Sequence, residues 1–462
     1  MAGYLSGSVL RRRLLTGSTW ALGGKIGAAA IGIVTSGLLG HMLSKQDFGT
    51  YLLVFSIISV GAVTGSLGLP KTVLRFVAES MTLDKPGRAR RAISTALALG
   101  VAGAIVTSLA YYFVVGDLVG RYFFHSEAIV AVIGLTTGWM AISVMQEIIA
   151  ESFRGFHDIR MATLFGGVAT GGKSAGLIMR ALLLGGLVLL WVTSGGHTDL
   201  RTVMIISVGA GAASALLSVL FLRKKVSPLG TQGSEDPVSA REELRDAFPI
   251  LVISLTSFIL LSAADLWILN YFGTKDQVAL YGAAARLVTF ISMPLLLTNL
   301  VLPPIIAEMY AQGRTGQLER TLRSFSTLSG IPSLLFLIVF MVLGGPIMGL
   351  VYGSDYSSAA IILVLLSAGK LGAVWAGSCG AVLQFTGHQG SMLRINLLTS
   401  PLFVIGALLV VRDYGPVGVA SMTAAITVLQ NAALVLVAKR KTGMWTHVSL
   451  SPSRLRKGLA RR

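Results

Sequence analysis

The amino-acid sequence predicts an all-α integral membrane protein with about twelve transmembrane helices in two pseudo-symmetric six-helix lobes. Three observations predict this class. The 462 residues are 53% hydrophobic and 13% charged, with a mean hydropathy of +0.76, whereas soluble chains keep about a quarter of their residues charged. Apolar runs long enough to cross a bilayer recur along the whole chain. The two halves of the chain also repeat each other.

The apolar runs define the predicted elements in chain order. A first lobe at 1–222 holds six runs: 17–40, 47–69, 92–116, 127–151, 161–192 and 200–222. A polar linker follows at 223–247. A second lobe at 248–438 holds six more: 248–271, 279–302, 324–351, 357–383, 391–411 and 416–438. A basic tail at 439–462 ends the chain. The first run is too long for a signal peptide, so we interpret it as an uncleaved helix.

The repeat predicts how the two lobes are related. Three pairs share a nearly constant offset of 229–232 residues: Tyr51 and Tyr281, Glu79 and Glu308, and Phe153 and Phe385. Six helices is an even number, so both lobes should insert the same way up, related by an axis along the membrane normal. A substrate site is then expected at their interface near the midplane. Side chains that recur in both lobes are interpreted as scaffold.

The basic residues predict the orientation. Most of the 38 lysines and arginines fall at the termini and in the even-numbered connections. The other side carries only five: Lys45, Arg121, Arg201, Lys275 and Arg412. The positive-inside rule therefore predicts that both termini are cytoplasmic. This asymmetry also explains the net charge of +18, and no nucleic-acid partner is predicted.

Residues 167–174, GVATGGKS, match the Walker A pattern letter for letter. A P-loop needs a preceding strand and a surrounding α/β domain, but this segment lies within the apolar run 161–192. We therefore predict no nucleotide binding, and we interpret the glycines as small residues that allow close helix packing. In a continuous fifth helix, Lys173 and Arg180 would share one face, with Lys173 pointing into a polar cavity.

Charges inside the predicted helices are the candidate functional groups, because each costs about 2.5–3.5 kcal/mol at a helix centre. Six cations lie there: Lys25, Lys173, Arg180, Arg286, Lys370 and Arg394. The carboxylates are Glu147, Glu151 and Asp265. Arg394 and Glu151 lie near helix ends, so snorkelling is expected for both. The predicted substrate-binding residues are Lys25, Lys173, Arg180, Asp265, Arg286 and Lys370. Asp265 and Arg286 could instead neutralise one another, as inert support or as a gate.

Metal and redox chemistry are not indicated. The single cysteine, Cys379, excludes a disulfide framework and any CxxC site. The six histidines are scattered along the chain. We therefore predict no cofactor, no metal and no catalytic residue, and hence no enzyme.

Four segments carry a family resemblance: LSKQDFGTYLL, LGLPKTVLRFVAE, VALYGAAARLVTF with LPPIIAEMY, and VYGSDYSSAA. They resemble the polysaccharide-transporter branch of the multidrug/oligosaccharidyl-lipid/polysaccharide (MOP) superfamily, over residues 10–438. The resemblance implies a V-shaped pair of six-helix lobes and flipping of undecaprenyl-pyrophosphate-linked oligosaccharides, as in Wzx-type flippases of cell-surface polysaccharide synthesis. It further implies the cell inner membrane, contact with membrane lipids, and a polysaccharide polymerase and glycosyltransferases as partners. Related lipid II flippases usually carry fourteen helices, and twelve are predicted here.

Two other transport classes remain open. A MATE-like drug or cation antiporter shares the superfamily, but a cationic cargo would favour carboxylates in the cavity over five deep cations. A major-facilitator-type transporter also has six plus six helices, and DKPGRARR at 84–91 resembles the signature loop of that family. The deep cations favour an anionic cargo such as a pyrophosphate.

Overall fold

The computed structural model describes residues 7–166, 176–229, 240–258 and 263–449, and all regular structure within those ranges is helical. The first helices are α1 (Gly7–Met42), α2 (Lys45–Gly65), α3 (Leu69–Thr82), α4 (Pro86–Ala110), α5 (Gly116–Leu118), α6 (Glu127–Ala131), α7 (Ile133–Gly155), α8 (Ile159–Phe165), α9 (Leu177–Ser194), α10 (Leu200–Val226) and α11 (Ala240–Phe258). The remaining helices are α12 (Ala264–Phe272), α13 (Lys275–Leu287), α14 (Thr289–Ala311), α15 (Thr315–Tyr352), α16 (Ala360–Ala376), α17 (Cys379–Phe385) and α18 (Gln389–Thr442). Two π-helical stretches, Tyr111–Val115 and Val119–Phe123, extend α4 on either side of α5.

The chain forms two compact units, Met1–Ala263 and Ala264–Arg462. In the first unit α7 is central and packs against α2, α3, α4, α8 and α10. In the second unit α16 packs against α13, α14, α15 and α18. The first unit includes α11, which the sequence assigns to the second lobe.

The length of the helices indicates a multi-pass membrane protein, as predicted. Among the described residues, nine helices are long and apolar enough to cross a membrane, or ten if Lys275–Leu287 and Thr289–Asn299 form one bent span. The 54 residues of α18 extend about 80 Å at 1.5 Å per residue, against a hydrocarbon core of about 30 Å. This helix bends at Gly415, where φ is 52°, and its length suits two crossings. The count of twelve stays a prediction.

The predicted repeat recurs in the helix boundaries. Three pairs of helix starts lie 229–230 residues apart: α2 at Lys45 and α13 at Lys275, α4 at Pro86 and α15 at Thr315, and α8 at Ile159 and α18 at Gln389. Corresponding stretches of sequence therefore fold into corresponding helices in the two units.

Even the caps of the first corresponding pair agree. Ser44 Oγ accepts a hydrogen bond from the Asp47 amide at 3.1 Å at the start of α2. Thr274 Oγ1 accepts one from the Gln277 amide at 3.3 Å at the start of α13. The Gln277 side chain in turn accepts from the Thr274 amide, which completes a capping box.

Ion pairs join the ends of helices in the first unit. Glu151 on α7 is 4% exposed and pairs with Lys71 at 3.5 Å and with Arg154. The snorkelling expected for Glu151 is therefore wrong, because two cations compensate its carboxylate inside the protein. Arg394, for which the same was expected, is exposed.

α11 packs against α2, α3 and α4. Arg75 on α3 pairs with Asp246 on α11, and this hydrogen bond holds the pKa of Asp246 below its ordinary value. Between α2 and α3 the chain turns at Gly68, where φ is 78°. A Cβ at Gly68 would lie 2.3 Å from the Ala247 carbonyl oxygen. The turn therefore needs glycine both for its backbone angle and for the approach of α11.

A C-terminal strap, residues 444–449, covers the end of α16 in the second unit. Thr446 Oγ1 donates to the Ala376 carbonyl at 2.8 Å, and the Val448 amide donates to the Trp375 carbonyl at 2.9 Å. Helix ends leave carbonyls without intrahelical donors. The strap supplies donors where α16 breaks at Gly377.

Candidate functional site

Arg180 on α9 reaches across to α1. Its Nη1 donates a hydrogen bond to the Ala28 carbonyl oxygen, and its side chain is half-buried. The guanidinium passes so close to Gly32 that a Cβ there would lie 2.1 Å from Nη1. Because glycine has no side chain, the Arg180 guanidinium can lie directly against the backbone of α1.

Lys25 belongs to the same region of the first unit. It lies three residues before Ala28 on α1 and therefore on a neighbouring part of the same helix face. Its side chain is half-buried. On either side of it, Gly24 and Gly27 pack against Leu177 of α9. Two of the predicted substrate-binding cations, Lys25 and Arg180, thus lie along the packed surfaces of α1 and α9.

The position of Arg180 within its helix is electrostatically unusual. Arg180 is the fourth residue of α9, which begins at Leu177. The amino end of a helix carries the positive end of the helix dipole, which stabilises anions and disfavours cations. The guanidinium and the helix end therefore add their positive potentials. This arrangement favours a bound anion.

The fifth predicted helix is interrupted, which corrects one expectation. Gly166 and Gly176 have extended backbone angles, and the Gly176 amide donates to the Gly166 carbonyl at 2.7 Å. The prediction of a continuous helix at 161–192 is therefore wrong, and the argument that Lys173 shares a face with Arg180 no longer holds. Lys173 and the rest of 167–174 lie outside the described residues.

The segment before the Walker A pattern does not resemble that before a P-loop. The residues before it form the helix α8, whereas a P-loop follows a strand. That this segment does not bind nucleotide stays a prediction.

The second unit holds a polar cluster built around Asp265 in the first turn of α12. Asp265 Oδ1 accepts from the Leu266 amide at 3.0 Å, and its carboxylate is hydrogen-bonded to the Tyr281 hydroxyl. Tyr281 is 1% exposed, and its Oη lies 3.1 Å from Thr423 Oγ1 on α18. Thr423 Oγ1 in turn donates to the Val419 carbonyl at 2.9 Å.

The other predicted charges of the second unit are Lys370 on α16 and Arg286 on α13. Lys370 is exposed, whereas Arg286 is half-buried in the last turn of α13. A cation at the carboxyl end of a helix is stabilised by the helix dipole. The helix dipole therefore gives Arg286 a favourable place of its own, and its pairing with Asp265 stays a prediction.

Two members of this cluster, Tyr281 and Thr423, were missed from the sequence. Tyr281 recurs in the repeat as Tyr51, and this recurrence classified it as scaffold. In the first unit Tyr51 does pack on an aromatic ring, Trp139, with centroids 6.4 Å apart. The sequence does distinguish the two tyrosines by the residue 16 positions before each. This residue is Thr35 in the first half and Asp265 in the second.

Metal ligands do not converge in the described part of the chain, where no group of three or more His, Cys, Asp or Glu side chains could hold an ion.

Comparison with known proteins relates this architecture to glycan transport. The family model described as "Polysaccharide biosynthesis protein" matches residues 14–310. A curated relative from Haloferax volcanii, "Probable low-salt glycan biosynthesis flippase Agl15", is 23% identical over 390 residues, which are 83% of this chain and 74% of the relative.

Solved structures share the fold at low sequence identity. An inward-facing multidrug resistance MATE family transporter of the MOP superfamily has a TM-score of 0.67 at 14% identity, over 92% of this chain and 98% of that one. The lipid II flippase MurJ in an inward closed conformation has a TM-score of 0.67 at 14% identity, over 90% of this chain and 86% of that one. The major-facilitator alternative is therefore wrong, and the resemblance to the MOP superfamily is confirmed. The chain belongs to the polysaccharide biosynthesis protein family, on its match over residues 14–310.

Proposed function

We propose that this protein is a flippase that moves an undecaprenyl-pyrophosphate-linked oligosaccharide across the cell inner membrane for cell-surface polysaccharide synthesis. Family membership supports a role in polysaccharide synthesis. The relative from Haloferax volcanii is named a probable glycan biosynthesis flippase, and the structurally similar MurJ is named a lipid II flippase. Flipping moves an intact substrate, so no catalytic residue and no cofactor are needed.

The observation that carries the proposal is Arg180 at the amino end of α9. An arginine stays protonated in proteins, so Arg180 keeps its positive charge where its guanidinium meets α1 at the Ala28 carbonyl. The helix dipole adds to this charge. A pyrophosphate offers about two negative charges and many acceptor oxygens, which match the fork of guanidinium donors.

The other predicted residues extend the same role. Lys25 lies on the face of α1 that receives Arg180, and Lys173 precedes α9 in the chain. In the second unit, Lys370 and Arg286 supply further positive charge, while Asp265 modulates it. The sugars of the substrate are polar and its polyprenyl tail can remain in lipid, so the pyrophosphate is the part that needs compensation. The proposed partners are membrane lipids, a polymerase and glycosyltransferases, with both termini in the cytoplasm.

The fold alone also accommodates multidrug transporters, as the MATE likeness shows. A cationic drug would be stabilised by carboxylates. Five of the six candidate residues of this chain are cations, and Asp265 is the one carboxylate among them. The charges of the described residues therefore favour the anionic cargo.

The test is delivery of a lipid-linked glycan to the outer face of cells that lack their own transporter. The double variant Arg180→Ala, Lys370→Ala should abolish delivery while its membrane level and its elution as a folded protein in detergent stay normal. Arg394→Gln is the matched control, because Arg394 is exposed and its charge can snorkel. Full delivery by the double variant would show that these charges are structural, and the proposed mechanism would fall.

A further inference from the structure

The asparagines of this chain are unevenly distributed. The sequence contains four, and all of them fall in the second unit: Asn270, Asn299, Asn396 and Asn431. The last three lie on α14 and α18, two helices that both pack against the short helix α17. Side-chain amides are costly in an apolar environment unless they are hydrogen-bonded, so their concentration in one part of one unit indicates a local role.

Two of these amides meet at the start of α17. Ser378, the residue that precedes this helix, donates from Oγ to Asn299 Oδ1 at 2.6 Å. The next residue, Cys379, places its Sγ 4.0 Å from Asn431 Oδ1. The start of α17 therefore connects an amide of α14 with an amide of α18.

A further pair of amides lies on α18 itself. Gln430, next to Asn431 in the chain, donates from Nε2 to Asn396 Oδ1 at 2.8 Å. In a straight helix these two residues would lie about 50 Å apart, and the bend at Gly415 brings them together. We refer to the four side-chain amides as the amide cluster: Asn299, Asn396, Gln430 and Asn431.

The backbone that holds the cluster is fixed where α16 breaks. Gly377 has a φ of 74°, and a Cβ there would collide with Ser326 Oγ and the Thr446 carbonyl oxygen. Ser326 Oγ also donates to this carbonyl at 2.8 Å. The C-terminal strap and α15 thus hold Ser378 in place, and a site whose groups are held in advance loses less entropy when a ligand binds.

Bonds between helices use only one side of these amides. An amide carries two N–H donors and a carbonyl oxygen with two lone pairs. Asn299 accepts from Ser378, and Asn396 accepts from Gln430. Their own N–H donors have no partner among the residues that the structure describes. Asn299 is exposed and Asn396 is half-buried, so these donors are accessible to a ligand.

The chemistry of the cluster selects a neutral polar ligand. Its groups carry no charge, so they compensate neither a pyrophosphate nor a cationic drug. A hydroxyl both donates and accepts hydrogen bonds, and so does a side-chain amide. A sugar, with a hydroxyl on most of its carbons, therefore matches a cluster of amides.

The cluster also lies at one level of the predicted membrane. Asn299, Ser378, Asn396 and Asn431 are each within seven residues of the ends of their apolar runs at 302, 383, 391 and 438, roughly 10 Å at most. The predicted orientation places all four ends on the cytoplasmic side. A lipid-linked glycan that is assembled in the cytoplasm would approach the protein from this side.

We propose that the amide cluster is a sugar-binding subsite, which hydrogen-bonds hydroxyl groups of the glycan and so distinguishes a glycosylated lipid carrier from a bare one. The inference rests on the proposed function for the presence of a glycan in the substrate. A bare polyprenyl pyrophosphate satisfies the cations but leaves the amides without a partner. Selectivity, rather than large affinity, is the expected gain, because neutral hydrogen bonds are formed in exchange for bonds to water.

The experiment measures binding of four probes to the purified full-length protein in detergent. The probes are farnesyl pyrophosphate and the same pyrophosphate carrying glucose, galactose or N-acetylglucosamine. The readout is the sugar gain, defined as the affinity for a glycosylated probe divided by the affinity for the bare probe. The wild type should show a sugar gain of about tenfold for at least one sugar, the effect of one or two hydrogen bonds.

Three variants test whether this gain comes from the amides. Asn299→Asp should lose most of the gain, because an ionised carboxylate still accepts from Ser378 but has no N–H to donate. Asn299→Leu and Gln430→Leu should lose it as well. Gln384→Leu is the matched control, since Gln384 is an exposed amide on α17 outside the cluster, and it should keep the gain. Arg180→Gln should weaken all four probes alike and keep the gain.

The sugar gain is a ratio within one protein, so a variant that merely folds poorly weakens every probe and leaves the ratio unchanged. The absence of a gain in the wild type would overturn the subsite, and so would a gain that all three amide variants keep. A gain that depends on the cluster, in a protein that delivers no glycan to the outer face, would uphold the subsite and overturn the flippase. Glycan delivery without a sugar gain would do the reverse.

Discussion

The two units of this protein use one helical plan and two different chemistries. Their helices begin at matching positions, and their first corresponding helices are capped in the same way. Yet Tyr51 packs against Trp139 in the first unit, whereas Tyr281 bonds Asp265 in the second. The duplication therefore preserves backbone and capping, while the functional charge is specific to each unit.

The two deep arginines show the same contrast. Arg180 lies in the first turn of α9, where the helix dipole opposes a cation, and Arg286 lies in the last turn of α13, where the dipole stabilises one. The helix dipole stabilises Arg286, so this arginine contributes to the stability of the fold. The dipole destabilises Arg180, so we expect a functional role that offsets this electrostatic cost. This difference favours a substrate-binding role for Arg180 over one for Arg286.

The largest expected effect comes from substituting each of these arginines separately. Arg180→Gln should lower glycan delivery by roughly 10- to 100-fold, the value of one or two charge-assisted hydrogen bonds. Arg286→Gln should lower it by a few-fold at most. The measurement is outer-face glycan per molecule of inserted protein.

Arg180→Lys sharpens this comparison. Lysine keeps the charge but loses the planar fork, so partial delivery is expected. If Arg286→Gln lowered glycan delivery as much as Arg180→Gln, the dipole argument would be wrong, and both arginines would have the same role.

A smaller effect is expected from Gly32→Ala. The new Cβ would lie 2.1 Å from Arg180 Nη1, so the guanidinium must leave its position, and delivery should fall several-fold. Gly23→Ala on the same helix is the control, since nothing lies within 4 Å of a Cβ there. Equal delivery by the two variants would show that Arg180 tolerates displacement.

Most of the fold could be predicted from the sequence because apolar length and repetition are local signals. Composition indicated the membrane, and the offset of Tyr51 and Tyr281 recurs in the helix starts of α2 and α13. The interruption at Gly166 could not be predicted. It falls inside the run 161–192, which the sequence analysis treats as one helix, and the break depends on a hydrogen bond between the Gly176 amide and the Gly166 carbonyl.

The candidate site was predicted only in part. Intramembrane charge pointed to Asp265 and Lys370, since each is costly wherever it lies. The contact between Tyr281 and Thr423 was not predicted, because 142 positions separate them in the chain. Tyr281 was set aside for recurring in both halves, although its role depends on a neighbour that does not recur.

Tyr281→Phe tests whether Tyr281 has a role that Tyr51 lacks. The substitution removes the hydroxyl that links Asp265 and Thr423, so glycan delivery should fall by about two- to fivefold, the effect of one hydrogen bond. Tyr51→Phe is the matched comparison at the corresponding position and should lower delivery less, because it keeps the ring that packs on Trp139. Equal loss in both variants would mean that the tyrosines support the helices, as the repeat alone suggests.

The smallest expected effect concerns the hydrogen bonds that the two units form where a helix is interrupted. The break after α8 is joined by its own backbone, Gly176 to Gly166, whereas the break after α16 is covered by the C-terminal strap. Within the strap, His447 is half-buried, and its carbonyl accepts from Arg323 Nε at 3.3 Å. Partial burial, and then the charge of Arg323, lower the pKa of the His447 imidazole below its ordinary value of about 6.5.

The sign of the pH effect follows from this shift. Between the lowered pKa of the folded state and about 6.5, the unfolded chain binds more protons at His447, so stability falls as the pH falls through that window and is unaffected above it. Wild-type protein in detergent should therefore lose about one or two degrees of melting temperature more than His447→Asn between about pH 7.5 and about pH 5.5. Parallel pH profiles for the two proteins would show that the strap is as hydrated in the folded state as in the unfolded one. The closure of α16 would then have to rest on Thr446 and Val448 alone.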